Sequence, residues 1–487
     1  MSALGQAPWG LWPLSILALA VLTLRISRTG SPRQAAWHGL IAGMGYFALA
    51  LSWIVEPFYV DPVFAWMAPF ALILTALGGG LFWAVPAWLA ARIAPDPQGR
   101  AVSLAAGLVI SDWLRGWIFT GFPWALLGHV WIDTPAAQAA AFIGAVGLSA
   151  LTAFAAALPA IFWQRPGYWR GALPGTALSL LLIAVFWTGG QSRLDTPIHY
   201  RDITLRLVQP NAAQELKWDP EWAPIFWQRL LDESAAPADG PAPDAVIWPE
   251  TAVNFLLDQG SEAWPIISEA TGTPVLMGIQ RRDGSRFYNS LIELSPGGEV
   301  IETYDKFHLV PFGEYSPWGD TFARFGISAF ASQLGFGFSS GPGPEVMSLQ
   351  SLPPVQPLIC YEAIFPQHLR ASEGAEWLVQ ITNDAWFGTR SGPYQHLAQA
   401  RLRAIESGLP LLRAANTGIT AAMDPLGRIT ASLPLEITGH LDASLAAPLP
   451  GTVWTRLGPW PVLVSAFALI LGCFARRHGR DASGGDI

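Results

Sequence analysis

Three polar residues in the middle of the chain have side chains that together could move an acyl group. Cys360 offers a thiol nucleophile, Glu250 a carboxylate that can accept the thiol proton, and Lys306 an ammonium that can stabilise a thiolate or an oxyanion. Spacing along the chain does not show that they meet in space. A lone cysteine is most often a small buried hydrophobe, and a single Glu or Lys is most often a solvated surface residue.

The sequence around Cys360 favours a chemical role. Cys473, the other cysteine, lies in the last apolar run, so no disulfide between the two is expected. An unpaired thiol outside the cytoplasm is a liability unless it is used. The segment 357–362 predicts that a strand ends at Cys360 and that a helix over 363–372 follows. Such a helix would aim its N-terminal amides at the sulfur and favour the thiolate.

Glu250 and Lys306 also follow predicted strands. Pro249 ends a short buried strand, so the Glu250 carboxylate would project into a loop. Lysine occurs only at positions 217 and 306, and arginine supplies the other basic side chains. A position that keeps lysine indicates a need for a compact ammonium rather than a guanidinium.

The segment from 191 to 457 alternates short strands with amphipathic helices. We predict strands at 203–208, 245–248, 274–280, 287–294, 299–304, 358–360, 377–382 and 410–415, helices at 222–233, 262–270, 363–372 and 394–407, and hairpin turns at 295–298 and 424–427. Strand–helix alternation with one hairpin in each half predicts an α/β sandwich of two similar halves.

The rest of the chain is typical of a membrane protein. Hydrophobic residues make up 51% of the sequence and charged residues 13%, against about 25% charged in a soluble domain. Apolar runs that approach the length of a spanning helix occur at 10–26, 36–55, 65–91, 102–119, 136–163, 172–190 and 458–475. We therefore predict a transmembrane helical domain at 1–192, a catalytic domain at 193–457, and a final transmembrane helix with a basic tail at 458–487.

Basic residues predict the orientation of these spans. They cluster after the first, third, fifth and last runs, at Arg25, Arg28, Arg33, Arg92, Arg100, Arg165, Arg170, Arg476, Arg477 and Arg480, whereas the loop at 56–64 has none. The positive-inside rule puts these clusters in the cytoplasm and the catalytic domain outside it. Residues 1–10 contain no Lys or Arg, which disfavours a signal peptide. A net charge of -8 and the lack of a basic stripe argue against nucleic acid as a partner.

Two further features have open interpretations. The Gly- and Phe-rich segment 312–344 is either a loop folded onto its own domain or a mobile lid that touches the bilayer. Its aromatic residues, with those of 122–131, are candidates for a lipid-facing mouth. Asp112 and Arg115 are the main charges within the predicted spans, and they form either a pair near the interface or a site for a lipid headgroup.

Several motifs carry a resemblance to a known family. Trp248-Pro249-Glu250, Tyr304-Asp305-Lys306 and Cys360-Tyr361-Glu362 resemble the Glu–Lys–Cys triad motifs of the carbon–nitrogen hydrolase (nitrilase) superfamily. Within it, the chain resembles the apolipoprotein N-acyltransferases of bacterial inner membranes. The matching segments are 216–218, 308–314 and 382–387 in the catalytic part, and 114–117 and 120–124 in the membrane part.

The resemblance implies a fold and a reaction. It implies a multi-span helical membrane domain with an extracytoplasmic nitrilase-like αββα sandwich. Glu250 would be the general base, Cys360 the nucleophile and Lys306 the oxyanion stabiliser. A phospholipid would acylate Cys360, and the α-amine of S-diacylglyceryl-cysteine in a lipoprotein would take the acyl chain from the thioester. Supporting or substrate-binding residues would be Glu314, Glu362, Trp218, Asn289 and Tyr361, and neither a metal nor a soluble cofactor would be needed.

The resemblance also implies a multi-pass protein of the bacterial inner membrane, with its catalytic domain in the periplasm. Its partners would be a phospholipid donor, a diacylglyceryl-modified apolipoprotein acceptor and the bilayer, and nothing requires more than a monomer. The family usually has eight spans, so the seven runs predict that its first helix is absent or abbreviated here. The alternatives are a membrane-tethered amidase with the same triad, and a scaffold or transporter without catalysis.

Overall fold

The computed structural model describes residues 1–163, 169–238, 240–315, 337–371 and 373–483. The chain forms two compact units. The first comprises Met1–Thr196, Arg390–Ala398 and Thr452–Ile487, and the second Pro197–Thr389 and Gln399–Gly451. The short segment Arg390–Ala398 belongs to the first unit. The domain boundaries at 192/193 and 457/458 stay a prediction.

The first unit is helical. Its longer helices are α1 (Trp12–Ser27), α2 (Pro32–Ala50), α3 (Ala68–Ile93), α4 (Pro97–Arg115), α5 (Ala140–Phe162), α6 (Leu173–Leu194) and the C-terminal helix Trp460–Ser483. Two of them begin at an N-cap followed by proline, with the side chain of Ser31 accepting from the Gln34 N–H, and that of Asp96 from the Gly99 N–H. A helix thus forms at each of the seven apolar runs.

Within the described ranges, four helical segments are long and apolar enough to cross a membrane: Pro62–Ile93, Pro135–Phe162, Arg170–Leu194 and Trp460–Arg477. A fifth arises if Pro32–Ala50 and Ser52–Val60, which are bent by 66°, form one broken span. The number of spans therefore stays a prediction. The segment containing α5 is central to the unit, because 72% of its apolar window is buried, against 17% for Arg170–Leu194.

The described residues of the second unit form two β-sheets. Its strands are β1 (Tyr200–Gln209), β2 (Ala245–Ile247), β3 (Val275–Asp283), β4 (Arg286–Leu294), β5 (Val300–Asp305), β6 (Val355–Ile359), β7 (Trp377–Thr382), β8 (Leu411–Ala415), β9 (Thr420–Met423), β10 (Ile429–Leu433) and β11 (Gly439–Ala446). The first sheet has the order β11-β1-β2-β3-β4-β5 and the second the order β10-β9-β8-β7-β6. Parallel strands at the centre with antiparallel hairpins beside them confirm the predicted α/β sandwich.

Two apolar cores hold the layers together. The core between the sheets includes Leu207 and Leu276 of the first sheet and Ile359 and Ile381 of the second, all buried. A second core lies on the other face of the first sheet, where α7 (Ala223–Ala235) and α8 (Ala263–Thr271) pack. The remaining long helix of this part of the chain, α9 (Gly392–Ser407), ends before Gly408, which adopts the positive φ of 75° that favours glycine.

The predicted helix at 363–372 was wrong. The chain forms two short 3₁₀ segments there, Cys360–Ile364 and Pro366–Ala371. Phe365 precedes a proline and takes an extended conformation, as residues before proline prefer, so a continuous helix cannot form. Of the predicted lipid-facing loop at 312–344, residues 316–336 lie outside the described residues.

A buried ion pair connects the helices of the first unit. The Asp112 carboxylate lies 2.9 Å from the Arg115 guanidinium and also accepts hydrogen bonds from the Leu127 N–H and the Ser149 hydroxyl, at 2.8 and 2.7 Å. Arg115 donates to the main-chain oxygen of Trp124 at 2.7 Å. Both charged side chains are buried and engaged by protein groups, so they form a structural cluster rather than a headgroup site.

Replacing Asp112 by alanine should destabilise the first unit. The change leaves the Arg115 guanidinium buried without its carboxylate, which costs about 3–5 kcal/mol in comparable sites. Ser103→Ala, on the same helix, is the matched control, because the buried Ser103 hydroxyl has no hydrogen-bond partner among the described residues. Thermal unfolding in detergent, followed by tryptophan fluorescence, should show a clear fall in Tm for Asp112→Ala alone. Equal Tm values for the two variants would contradict this account.

Candidate active site

Three strand ends of the second unit carry the triad predicted from the sequence. Cys360 directly follows β6, Lys306 directly follows β5, and Glu250 comes three residues after β2. Cys360 has a φ of 51°, a left-handed conformation that is rare for residues other than glycine. Such strain is typical of functional positions, where the surrounding structure holds it in place.

The Glu250 carboxylate is held by three donors. Oε1 accepts from Asn289 Nδ2 at 2.7 Å and from Lys306 Nζ at 3.3 Å, and Oε2 accepts from the Asn383 N–H at 2.9 Å. Glu250 is buried, so these contacts replace the water that a carboxylate otherwise requires. The structure thus brings Glu250, Asn289 and Lys306 together.

Lys306 is 1% exposed and pairs with a second carboxylate. Its Nζ donates to Glu314 Oε1 at 2.8 Å, and Glu314 also accepts from Asn289 Nδ2 at 3.2 Å and from the Val310 N–H at 2.8 Å. Burial lowers the pKa of Lys306, but the Glu314 and Glu250 carboxylates outweigh burial and leave the pKa above its usual value. Lys306 is therefore a permanent ammonium.

The Cys360 thiol lies in the same electrostatic environment. Burial raises its pKa, the Glu250 carboxylate raises it further, and the Lys306 ammonium and the Thr382 hydroxyl lower it by less. Burial thus disfavours the Cys360 thiolate, and the support expected from a helix N-terminus is absent. The physical reason is that the short 3₁₀ segment at Cys360 provides no long helix whose dipole could oppose burial.

Glu362 connects the chain around Lys306 with the chain around Cys360. Its carboxylate accepts from the Phe307 N–H at 2.9 Å, the His308 N–H at 3.2 Å and the Ile359 N–H at 2.8 Å, and from the Tyr304 hydroxyl at 3.1 Å. Burial raises the pKa of Glu362 to about 7, and the main-chain donors limit that rise. One carboxylate thus fixes the main chain next to two triad residues.

The other predicted residues have different surroundings. Tyr361 is buried, and its ring makes edge contacts with Phe365 and His308, with centroids 5.0 and 5.7 Å apart. Trp218 is 47% exposed. Within the described ranges, no hydrogen bond or ring contact connects Trp218 to the triad. A role for Trp218 in binding substrate stays a prediction.

Two supports of Glu250 were missed by the sequence reasoning. Asn383, in the conspicuous segment 382–387 after β7, supplies its N–H to Glu250, and its side chain accepts from Asn416 Nδ2 at 3.0 Å. Gly278 of β3 lets the Glu250 turn lie against the strand, because a Cβ there would come within 2.5 Å of the Pro249 oxygen and 2.6 Å of the Glu250 Cα. The motif at 382–387 could have indicated Asn383 from the sequence, whereas only the fold reveals the role of Gly278.

Gly278→Ala should displace Glu250 and slow reactions of the Cys360 thiol. The added methyl group overlaps main-chain atoms, which must move at a cost of about 1–3 kcal/mol. Gly439→Ala is the matched control. Gly439 lies in β11 of the same sheet, and a Cβ there would have no heavy atom closer than 3.9 Å. Iodoacetamide alkylation of Cys360, followed by intact mass, should slow in Gly278→Ala alone. An unchanged rate would mean that the Glu250 turn does not depend on close approach to β3.

The chain is similar to two families and to proteins of known name. Residues 1–158 match the apolipoprotein N-acyltransferase N-terminal domain, and residues 225–449 match carbon-nitrogen hydrolase. The chain is 38% identical to the apolipoprotein N-acyltransferases of Rhodopseudomonas palustris and Bradyrhizobium diazoefficiens, over 98% of this chain and 94% and 93% of theirs.

A solved amidase structure from Nesterenkonia sp. is 20% identical, with a TM-score of 0.37, over 53% of this chain and 93% of that one. The family follows from the full-length relatives. Their identity exceeds one third across nearly the whole length of both proteins, through the helical part and the catalytic part alike. The chain therefore belongs to the apolipoprotein N-acyltransferase family.

Proposed function

We propose that this protein moves an acyl chain from a membrane phospholipid to the α-amine of S-diacylglyceryl-cysteine at the N-terminus of a lipoprotein. It is an acyltransferase of the carbon–nitrogen hydrolase superfamily. The observation that carries the proposal is the Glu250 carboxylate, which is hydrogen-bonded to the Lys306 ammonium and acts electrostatically on the Cys360 thiol in one buried site. A carboxylate, an ammonium and a neutral thiol are the groups that a stepwise acyl transfer requires.

In the first step Cys360 takes the acyl chain. Glu250 accepts the thiol proton as the sulfur attacks the ester carbonyl of the phospholipid. The carbonyl oxygen becomes an oxyanion, which the Lys306 ammonium and a main-chain N–H next to Cys360 stabilise. The C–O bond to the glycerol then breaks, the leaving oxygen takes the proton from Glu250, and a lysophospholipid departs. The product is a thioester on Cys360.

In the second step the acyl chain moves to nitrogen. The lipoprotein α-amine attacks the thioester carbonyl, Glu250 accepts a proton from the amine, and Lys306 stabilises the second oxyanion. The C–S bond breaks and the sulfur takes the proton back, which restores the neutral thiol. The product is an amide, and the two half-reactions should give ping-pong kinetics.

Glu314, Glu362, Asn289 and Tyr361 support the site in this proposal, and Trp218 contacts a substrate. Glu314 and Asn289 share the Lys306 and Glu250 contacts, whereas Glu362 holds the chain beside both Lys306 and Cys360. Neither a metal nor a soluble cofactor takes part, because the reaction needs only proton transfer, a nucleophile and oxyanion stabilisation.

The substrates suit a protein of the bacterial inner membrane whose catalytic unit faces the periplasm. Both carry acyl chains that leave the bilayer only at a cost of about 0.8 kcal/mol per CH₂ group. The several apolar helices support attachment to the membrane, and the distribution of arginines supports the periplasmic orientation. The partners are thus a phospholipid, a diacylglyceryl apolipoprotein and the bilayer, and the reaction requires one copy of the chain.

Acyl transfer to Cys360 can be tested by intact mass. Detergent-purified protein incubated with a phospholipid should gain the mass of one acyl chain, and Cys360→Ala should not, because it lacks the sulfur. Cys473→Ala is the matched control, since this buried cysteine lies in the C-terminal helix of the first unit. Glu250→Gln should form the adduct about 100-fold more slowly or worse, because Gln cannot accept the proton.

The acceptor then decides between acyltransferase and amidase. A diacylglyceryl-cysteine peptide should remove the acyl chain from wild-type protein and appear as its N-acyl product. Removal by water alone would support a membrane-tethered amidase instead. Persistent adduct formation in Cys360→Ala would overturn the assignment of the nucleophile.

A further inference from the structure

Lys217, the second of the two lysines of the chain, is a buried cation for which the mechanism has no role. Its side chain is 5% exposed, and it lies in a small cavity beside the Glu250 turn. A lysine is almost never fully buried unless its ammonium is paired or used. Its neighbour Trp218 is exposed, so burial of Lys217 is specific to that position.

The ammonium contacts the main chain of the general base. Lys217 Nζ donates to the Glu250 main-chain oxygen at 3.4 Å. On the far side of the same turn, the Ala252 N–H donates to the Gly278 oxygen at 2.8 Å, and Thr251 adopts a positive φ of 47°. The Glu250 turn is thus strained, and β3 and Lys217 hold it from two sides.

Glu250 is also the charge that acts on this ammonium. The residues of α7 that line the cavity are Ala223, Phe226 and Trp227, and those of the Glu250 turn are Ala252, Val253 and Asn254, none of which is charged. Two acidic residues lie near Lys217 in sequence. Glu215 is exposed, and Asp219 accepts a hydrogen bond from the Glu221 N–H at 2.8 Å. Arg229 of α7 donates instead to the main-chain oxygens of Pro210 and Asn211.

We infer that Lys217 is a positioning residue that holds the Glu250 turn through the main-chain oxygen of Glu250. The Lys217 ammonium also places a positive charge close to the Glu250 carboxylate. The inference rests on the proposed role of Glu250 as general base. It assigns a function to a lysine outside the triad.

The pKa of Lys217 makes this role dependent on pH. Burial lowers the pKa to about 8, and the Glu250 carboxylate opposes that fall. The ammonium is therefore present below about pH 8 and is lost as the pH rises through that value. Loss of the proton removes the positive charge and leaves a neutral amine, which is a weaker donor to the Glu250 main-chain oxygen, so the general base should work less well above pH 8.

The test measures one half-reaction, acylation of Cys360 from phosphatidylglycerol, by intact mass over about pH 6 to 9.5. This donor has no group that titrates in that range, so a change in rate belongs to the protein. Wild-type acylation should slow as the pH rises through about 8. Lys217→Met should slow acylation at least about tenfold at neutral pH and abolish the pH-dependent fall. Lys217→Arg should restore the rate and keep it at high pH, because arginine does not lose its proton.

Phe226→Leu is the control, since it enlarges the same cavity without touching the ammonium, and it should retain the wild-type pH profile. Iodoacetamide alkylation of Cys360 is measured in parallel, because it needs no lipid and reports on the assistance of Glu250. If wild-type protein forms no lipid adduct but Lys217→Met is still alkylated more slowly than wild type, the proposed function fails and the inference about Lys217 stands. Wild-type rates and pH profile in Lys217→Met would overturn the inference.

Discussion

The site depends on the burial of the Lys306 ammonium. An ammonium removed from water must be paired, and an unpaired one would shift its pKa or destabilise the fold. Glu314 and Glu250 supply the pairing, and both carboxylates share Asn289 as a donor. Lys306 follows β5, Asn289 lies within the adjacent β4, and Glu250 follows β2 of the same sheet, so correct pairing of these charges requires correct assembly of the first sheet.

Burial also determines how the nucleophile is used. In an apolar site the thiolate is disfavoured. In the proposed mechanism Cys360 therefore keeps its proton until a substrate carbonyl arrives. Proton transfer to Glu250 would then coincide with attack, and the new negative charge would form next to Lys306. A neutral thiol is also less reactive toward oxidants than a thiolate.

The requirement that buried charges be paired also applies in the helical unit. Asp112 and Arg115 lie on α4 among apolar helices, and each finds its partners within the protein, including Ser149 of α5 and the main chain near Trp124. A second polar centre is the Gln395 side chain, which accepts from the indole N–H groups of Trp53 and Trp124. Polar groups in this unit are therefore structural connections between chain segments distant in sequence.

Local residue patterns were enough to predict the fold class, the seven helical runs and nearly every strand of the catalytic unit. They also made Glu250, Lys306 and Cys360 candidates, because each follows a strand and carries a chemistry-bearing side chain. The family resemblance of their motifs then singled out these three residues, whose catalytic roles stay a prediction. Tertiary structure alone revealed that Asn383 and Gly278 support Glu250, that the buried Lys217 contacts the Glu250 main chain, and that burial raises the pKa of the Cys360 thiol. Periodicity and motifs are local properties of the chain. Burial, charge pairing and close main-chain approach join residues that are far apart in sequence, such as Glu250 and Asn383, which are 133 positions apart, and only the folded chain brings them together.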